Sequence, residues 1–215
     1  RDGRHLAGVL GYTAKGGIVD LDRLAISPSH HRRGVATALI DELHSALDPK
    51  AYRKAVALLA ESEFIDIFGV ENSLTPAMDL FTKLGYLGLT CRLNTDAYLQ
   101  QIGAGHLPHG AVAVAFSHSG SSADTVKALR LAKSHGAKTI AITNAIGAPL
   151  ASWADVTLLT GRDSHTIYGN AIFSRVADTA LVDMLYMGVI LSGYGRFSTA
   201  LDESGRMIRD RVFEN

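Results

Sequence analysis

The sequence is poor in cysteine, proline and aromatic residues. Of its 215 residues one is cysteine, 5 are proline and 7% are aromatic, whereas 47% are hydrophobic and 21 are glycine. The single cysteine, Cys91, has no partner with which to form an intrachain disulfide. The large apolar fraction and the low proline content exclude a disordered or fibrous chain. They are typical of a globular protein with one substantial core or two small ones.

The sequence also lacks an excess of charge and lacks long apolar runs. Lys and Arg together number 21, as do Asp and Glu, so bulk attraction to nucleic acid is not expected. The longest apolar stretches, Ala111 to Phe116 and Met184 to Ile190, are far shorter than the roughly 20 residues that span a bilayer. No basic segment followed by an apolar segment opens the sequence. These absences predict a soluble cytoplasmic protein that does not contact the membrane.

Two strands and a helix are predicted in the first 47 residues. Leu6 to Tyr12 and Ile18 to Ile26 alternate as strands do, and the Gly-rich segment Ala14 to Gly17 between them suits a hairpin. Val35 to Leu47 carries its apolar residues on one helical face. These elements form a predicted segment 1–47, a β-hairpin and helix appended to a larger domain.

The remainder, residues 48–215, alternates between strands and helices. Asp48 and Pro49 have the residue types of an N-cap and a first helical position. Several later strands are apolar on both faces, as expected when helices cover both sides of a parallel sheet. The pattern predicts an α/β fold with a doubly wound, flavodoxin-like, five-stranded parallel sheet. The predicted strands are Phe64 to Val70, Leu89 to Leu93, Ala111 to Phe116, Thr139 to Thr143 and Asp155 to Leu159.

Two further helices are predicted near the end of the sequence. Phe173 to Leu191 is apolar almost all round and is expected to be buried. Asp202 to Glu214 is polar and rich in charge, which predicts an exposed closing helix.

A loop rich in hydroxyl groups is the most informative stretch of the sequence. Residues 117–125 read Ser-His-Ser-Gly-Ser-Ser-Ala-Asp-Thr, directly after a buried strand and at the start of a helix. In open α/β sheets ligands bind beyond the carboxyl ends of the strands, where a helix N-terminus offers unpaired N–H groups. Four serines around Gly120 therefore predict a phosphate cradle. The alternative is an ordinary capped turn, because serine is common in both settings.

This loop resembles the Ser-x-Ser-Gly-x-Ser/Thr signature of the sugar isomerase (SIS) domain. The resemblance extends over residues 48–213, with Ile67 to Val70, Asn94 to Asp96 and Thr139 to Asn144 in the order found in RpiR-type regulators. It implies a phosphosugar-binding effector domain that uses no cofactor and pairs as a homodimer, with the apolar helix Phe173 to Leu191 as a contributor. It also implies no direct contact with nucleic acid, since the helix-turn-helix of these regulators is not recognisable here. The implied phosphosugar-binding residues are Ser73, Ser117, Ser119, Gly120, Ser121, Ser122 and Thr125.

Two departures from the SIS pattern bear on activity. The first loop of the family usually reads Gly-Val-Gly-x-Ser, whereas residues 69–73 here read Gly-Val-Glu-Asn-Ser, and Glu71 would repel a phosphate dianion unless it points away. Isomerases of the superfamily also use a Glu to move protons between carbon atoms of the sugar. That Glu has no counterpart before Arg175, where only Asp163 and His165 could act as a base. The catalytic residues are therefore unknown, and a site that binds without reacting is the simpler interpretation.

The N-terminal segment resembles a different family, the GNAT N-acetyltransferases. Residues 31–36 read His-Arg-Arg-Gly-Val-Ala and are similar to the family's acetyl-CoA loop, Arg/Gln-x-x-Gly-x-Gly/Ala. Backbone N–H groups at such a helix start can receive a pyrophosphate. The resemblance implies acetyl-CoA binding by Ile26, Arg32, Arg33, Gly34, Val35 and Ala36. An amphipathic helix with a basic first turn is the alternative.

A second GNAT-like piece overlaps the SIS-like region. Glu71 to Tyr86 is similar to the family's Asn-x-x-Ala-x-x-Leu-Tyr-x-Lys-Leu-Gly-Phe motif, and one helix cannot serve both architectures at once. The family's general-acid Tyr falls on Phe81, which has no proton to give. These observations predict a chimera in which acetyltransferase segments adjoin a phosphosugar-binding domain. Three hypotheses remain open, namely a non-catalytic phosphosugar sensor, an acetyl-CoA-dependent acyltransferase and an aldose–ketose isomerase.

Overall fold

The computed structural model describes residues 11–15, 18–23, 43–161 and 175–209. Five parallel strands form the main sheet in the order β4-β3-β5-β6-β7, and β1 and β2 form a separate two-stranded antiparallel sheet. This confirms the predicted α/β sheet with its appended hairpin. The strands are β1 (Gly11–Lys15), β2 (Ile18–Arg23), β3 (Ile65–Phe68), β4 (Cys91–Leu93), β5 (Val112–Phe116), β6 (Lys138–Thr143) and β7 (Val156–Leu159).

Six α-helices have defined ends within the described residues. The first begins as predicted, because the Asp48 carboxylate accepts a hydrogen bond from the Lys50 N–H at 3.0 Å. The helices are α1 (Pro49–Glu61), α2 (Leu74–Tyr86), α3 (Ala97–Ala104), α4 (Ala123–Ser134), α5 (Val176–Ser192) and α6 (Tyr194–Met207). Short 3₁₀ turns occupy Glu71–Ser73 and Pro149–Trp153.

The core lies on both faces of the sheet, and successive residues of β5 alternate between the two faces. Val112, Val114 and Phe116 belong to the larger apolar cluster, which includes buried residues of α1, α2 and α5. Ala113 and Ala115 face the other way and pack with residues of α4. The all-buried strand thus has helices on both sides, which is the physical reason for its apolar sequence.

The first strand of the hairpin extends beyond its predicted end at Tyr12, to Lys15, and the second begins at Ile18 as predicted. Tyr12 pairs with Leu21 and Lys15 pairs with Ile18, so Ala14 and Lys15 belong to β1 and not to the turn. This pairing leaves two residues between the strands, both of them glycine in the sequence. The predicted start at Leu6, the predicted end at Ile26 and most of the predicted helix Val35 to Leu47 lie outside the described residues.

The last helix begins eight residues before its predicted start at Asp202. Helix α5 ends at Ser192, the chain bends at Gly193, and α6 runs from Tyr194. Only Phe197 of α6 is buried, so the apolar signal of its first half was too weak to reveal the helix. Among the described residues no single helix is long and apolar enough to cross a membrane. Helices α5 and α6 together are long and apolar enough, but they are bent by 116° relative to each other.

A partly buried ion pair joins β3 to β4 and lies against the adjoining helix α3. Asp66 is 1% exposed, and its carboxylate accepts hydrogen bonds from Arg92 Nε at 3.0 Å and Nη2 at 2.6 Å. Burial raises the pKa of Asp66, an effect that the Arg92 guanidinium partly offsets. A Cβ atom on Gly103 would lie 2.7 Å from Arg92 Nη2, so glycine is needed there for α3 to pack this closely.

Candidate functional site

A cavity lies where the sheet connections diverge. From β3 the chain continues to the edge strand β4, whereas from β5 it continues toward β6 on the opposite side. Ligands bind at such switch points of open α/β sheets, between the loops that follow the two central strands. The cavity has a volume of about 430 Å³. Its lining residues are Val70, Glu71, Asn72, Ser73, Ser117, His118, Ser119, Ser121, Ser122, Asp124 and Arg175.

The loop after β5 is held in place by its backbone. The Ser117 N–H donates to Ile142 O at 3.1 Å, and the His118 carbonyl accepts from the Asn144 N–H at 3.0 Å. The Gly120 carbonyl accepts from the Leu150 N–H at 2.9 Å. Because these bonds fix one side of the loop to β6 and the segment beyond it, the other side faces the cavity with its serine side chains.

Gly120 makes this close docking possible. Its φ is +61°, and a Cβ atom there would lie 2.3 Å from Ala148 Cβ and 2.8 Å from Thr143 Oγ1. Alanine is thus excluded both by conformation and by space. Gly120 does not line the cavity but shapes the loop that does.

The N-terminus of α4 opens beside the same serines. Ser122 stands at the N-cap position, yet its hydroxyl makes no capping bond and instead accepts a long hydrogen bond from Thr125 Oγ1, at 3.4 Å. Capping would have satisfied one of the first N–H groups of the helix. Those groups and the positive end of the helix dipole therefore remain available to an anion in the cavity.

The predicted site residues divide into two groups. Ser73, Ser117, Ser119, Ser121 and Ser122 line the cavity, whereas Gly120 and Thr125 do not. Thr125 is fully buried beneath the loop, where its hydroxyl reaches Ser122. The Ser121 N–H donates to Ser119 Oγ, and the Ser121 hydroxyl donates to Ser119 O, both at 3.3 Å. These two bonds are at the long end of the normal range, so an incoming anion can displace them with little loss.

The loop after β3 is fixed by the side-chain amide of Gln100, a contact that the sequence pattern did not reveal. Gln100 is 1% exposed, and its Nε2 donates to Gly69 O at 2.7 Å and to Asn94 O at 2.8 Å. The Gly69 N–H donates to Gln100 Oε1 at 3.3 Å. A buried glutamine satisfied in this way sets where the first loop leaves the sheet, and hence where Ser73 enters the cavity.

Glu71 adopts an unusual backbone conformation in the cavity wall. Its φ is +51°, the only positive φ of a non-glycine residue in the described part of the chain. A side chain in this left-handed region is strained, which explains why a glycine is typical of the family at this position. The residue is exposed and lines the same cavity as the serines predicted to bind phosphate.

Arg175 brings a positive charge to the cavity from a distant part of the chain. It directly precedes α5, and its Nε donates to Asn72 O at 3.4 Å. The sequence alone assigns this residue no role. The signal that could have found it is a basic residue at the start of a buried helix, which is too common to be specific on its own.

His118 lines the cavity next to a buried carboxylate. Its Nδ1 lies 3.9 Å from Asp178 Oδ2, and Asp178, which is 5% exposed, accepts a hydrogen bond from Thr160 Oγ1 at 2.7 Å. These contacts connect the loop after β5 with α5 and with the end of β7. They place His118 at the cavity without assigning it a reaction.

The remaining candidates lie outside the described residues. These are Asp163 and His165, which the sequence offers as alternative bases, and the six residues predicted to bind acetyl-CoA, Ile26 and Arg32 to Ala36. Within the described part of the chain, no group of three or more His, Cys, Asp or Glu side chains is placed to hold a metal ion.

The sequence model of the SIS domain matches residues 58–188, more than half of the chain. The chain belongs to the SIS domain family.

The model of the acetyltransferase (GNAT) family matches residues 1–86 and so overlaps the SIS domain over residues 58–86. In the structure the overlapping residues belong to the SIS architecture. Strand β3 pairs in parallel with both β4 and β5 in the SIS sheet, and α2 packs on that sheet. Phe81 of the GNAT-like motif is partly buried there against the core.

Relatives of this SIS domain include bacterial transcriptional regulators. An uncharacterised HTH-type transcriptional regulator of Caldanaerobacter subterraneus subsp. tengcongensis is 30% identical over 82% of this chain and 62% of its own length. The HTH-type transcriptional regulator HexR of Escherichia coli is 28% identical over 83% of this chain and 62% of its own length. The chain thus spans about three fifths of the length of these two relatives.

Solved structures show the same fold. The Vibrio vulnificus NanR protein complexed with ManNAc-6P has a TM-score of 0.76 at 25% identity, over 83% of this chain and 69% of NanR. The sugar isomerase domain of an RpiR transcription factor from Sphaerobacter thermophilus has a TM-score of 0.71 at 24% identity. That match covers 82% of this chain and 99% of the domain. These comparisons confirm the predicted SIS fold and the resemblance to RpiR-type regulators.

Proposed function

We propose that this chain is the sugar-phosphate-sensing domain of an RpiR-type transcriptional regulator. The observation that carries the proposal is the set of five serines lining one cavity at the N-terminus of α4. Hydroxyl groups and helix N–H groups together form a preorganised site for a phosphate. NanR, whose structure is similar, was solved in complex with a sugar phosphate. DNA contact in this proposal belongs to a helix-turn-helix elsewhere in the parent regulator.

We propose that the site binds its ligand without converting it. Of the two carboxylate side chains among the cavity-lining residues, Asp124 accepts a hydrogen bond from Gln101 Nε2 at 3.2 Å. The other, Glu71, lies on the first loop beside the predicted phosphate site. Turnover of a hexose or pentose phosphate by the purified chain would contradict this part of the proposal and favour an isomerase.

A sugar phosphate is expected to stabilise the chain, and Ser119→Ala is expected to remove most of that effect. A ligand at a hundredfold excess over its Kd stabilises the folded state by about 2.7 kcal/mol, which raises Tm by roughly 5 to 10 °C for a domain of this size. Thermal-shift measurements with a panel of hexose phosphates test this. Ser134→Ala is the matched control, because the Ser134 hydroxyl donates to Leu131 O at the exposed far end of α4. If the ligand raises the Tm of Ser119→Ala as much as it raises that of the parent chain, the assignment of Ser119 to the phosphate site is wrong.

A second candidate function is acetyl-CoA-dependent N-acylation. The match of the GNAT model to residues 1–86 supports it, whereas the use of β3 and α2 by the SIS sheet weighs against it. In this alternative the cofactor would bind at Ile26 and Arg32 to Ala36. Calorimetric titration with acetyl-CoA discriminates between the sugar-phosphate sensor and the acyltransferase. Saturable binding that Gly34→Asp abolishes would favour the acyltransferase, whereas a titration without heat of binding would contradict it.

We further propose that the domain acts in the cytoplasm as a homodimer, as its family resemblance implies. The structure buries most of α5 inside the domain, so the expectation that this helix contributes to pairing leaves its ends and the partly exposed Tyr186 and Met187 for contact. Exposed apolar side chains lie instead on α3, where Tyr98 is 76% exposed and Ile102 58%. We expect Ile102→Glu to yield a monomer in analytical ultracentrifugation, and a monomeric parent chain would contradict the proposal.

A further inference from the structure

Glu71 is a strained residue with a carboxylate in an anion-binding cavity. Its backbone lies at φ +51°, a conformation in which side chains are disfavoured. Strain of this kind persists where the surrounding structure imposes it, and it concentrates at binding sites. The side chain at this position carries a carboxylate, and five serines line the same cavity.

None of the charged residues in the described lining of the cavity forms an ion pair with Glu71. The charged lining residues are Glu71, Asp124 and Arg175. Asp124 is engaged by Gln101, and Arg175 donates through Nε to Asn72 O. Among the ion pairs between described residues, none includes Glu71. A ligand with only a phosphate therefore meets a repulsive carboxylate, whereas a ligand that also carries a cation gains an attraction at the same place.

We infer that the cavity selects sugar phosphates that carry a protonated amino group, with the Glu71 carboxylate accepting a hydrogen bond from the ammonium. The inference rests on the proposed function and names the ligand class for that site. A hydrogen bond between an ammonium and a carboxylate is stronger than one between neutral groups. In a partly exposed cavity it is expected to favour the amino sugar phosphate by about tenfold over its hydroxyl analogue.

Isothermal titration calorimetry with three probes tests this inference. Glucosamine 6-phosphate carries the cation, glucose 6-phosphate has a hydroxyl in its place, and N-acetylglucosamine 6-phosphate has a neutral amide. All titrations contain a chelator, so that a divalent metal cannot bridge Glu71 and the phosphate. We expect the parent chain to bind glucosamine 6-phosphate about tenfold more tightly than either neutral analogue.

Substitutions at Glu71 isolate the contribution of its charge. Glu71→Gln is expected to abolish the preference for glucosamine 6-phosphate, so that the ratio of the affinities is about one. The affinity for glucose 6-phosphate is expected to stay the same or to rise. Glu71→Gly removes the charge together with the backbone strain and provides a second variant should Glu71→Gln fail to fold. Glu63→Gln, an exposed residue just before β3 that does not line the cavity, is the matched control and should keep the full preference.

The outcomes separate this inference from the proposed function. If the parent chain binds all three probes with similar affinity, or prefers a neutral analogue, the inference is overturned and the proposed function stands. A preference that survives in both Glu71 variants also overturns it. If no sugar phosphate binds at all, the proposed function fails and the inference falls with it.

Discussion

Replacing Gly120 with alanine is expected to abolish sugar-phosphate binding and to lower the free energy of unfolding by about 3 kcal/mol. The added Cβ would lie 2.3 Å from Ala148 Cβ and 2.8 Å from Thr143 Oγ1, so the loop after β5 must move away from β6. The φ of +61° adds a conformational penalty that no shift of neighbours removes. Because the same loop presents Ser117 and Ser119 to the cavity, the displacement disrupts the phosphate cradle directly.

Gly136→Ala is the matched control for this substitution. Gly136 also has a positive φ, +86°, but an added Cβ would meet no atom within 4 Å. The control therefore isolates the conformational penalty, about 1 kcal/mol, at a position that does not line the cavity. Chemical denaturation gives the stability of both variants, and calorimetry gives their affinity. Equal stability losses in the two variants, or unchanged affinity in Gly120→Ala, would contradict the described docking of the loop.

Arg175→Ala is expected to weaken sugar-phosphate binding by about 30-fold, which corresponds to about 2 kcal/mol. Arg175 supplies the formal positive charge that lines the described part of the cavity, and its contact with Asn72 O also holds the first loop. Without it, the formal charges among the described lining residues are those of the two carboxylates, Glu71 and Asp124. A phosphate that carries two negative charges is expected to lose more affinity than an uncharged ligand.

Two further variants separate charge from general damage to the fold. Arg175→Lys keeps the charge and is expected to lose less affinity than alanine, although lysine cannot reproduce the planar guanidinium geometry. Arg130→Ala removes a guanidinium that lies 5.8 Å from the Trp153 ring centroid and does not line the cavity. It should leave affinity unchanged. Affinity retained in Arg175→Ala, measured by calorimetry with the same hexose phosphate, would remove Arg175 from the site.

Much of the fold could be predicted from the sequence because its central strands have a distinctive composition. The β5 sequence is apolar at every position, and only a sheet covered on both faces buries such a strand completely. The start of α6 could not be predicted in the same way. Its first half buries only Phe197, so no periodic apolar face marks where the helix begins.

The part of the candidate site whose residues lie close together in the sequence could be predicted. The part whose residues come from distant positions could not. The serines of the loop after β5 lie within six residues, and a short motif was enough to find them. Gln100 is 31 residues from Gly69, and Arg175 is 103 residues from Asn72, so only the folded chain brings these pairs together. Thr125 follows the motif by three residues and was predicted with it, but it lies buried beneath the loop and does not line the cavity.

The most direct test of the phosphate cradle is a crystal structure of the chain with a bound hexose phosphate. We expect the phosphate oxygens within hydrogen-bonding reach of the Ser117, Ser119 and Ser122 side chains and of the first N–H groups of α4, with Arg175 beside them. A ligand found elsewhere on the molecule, with this cavity unchanged, would contradict the account.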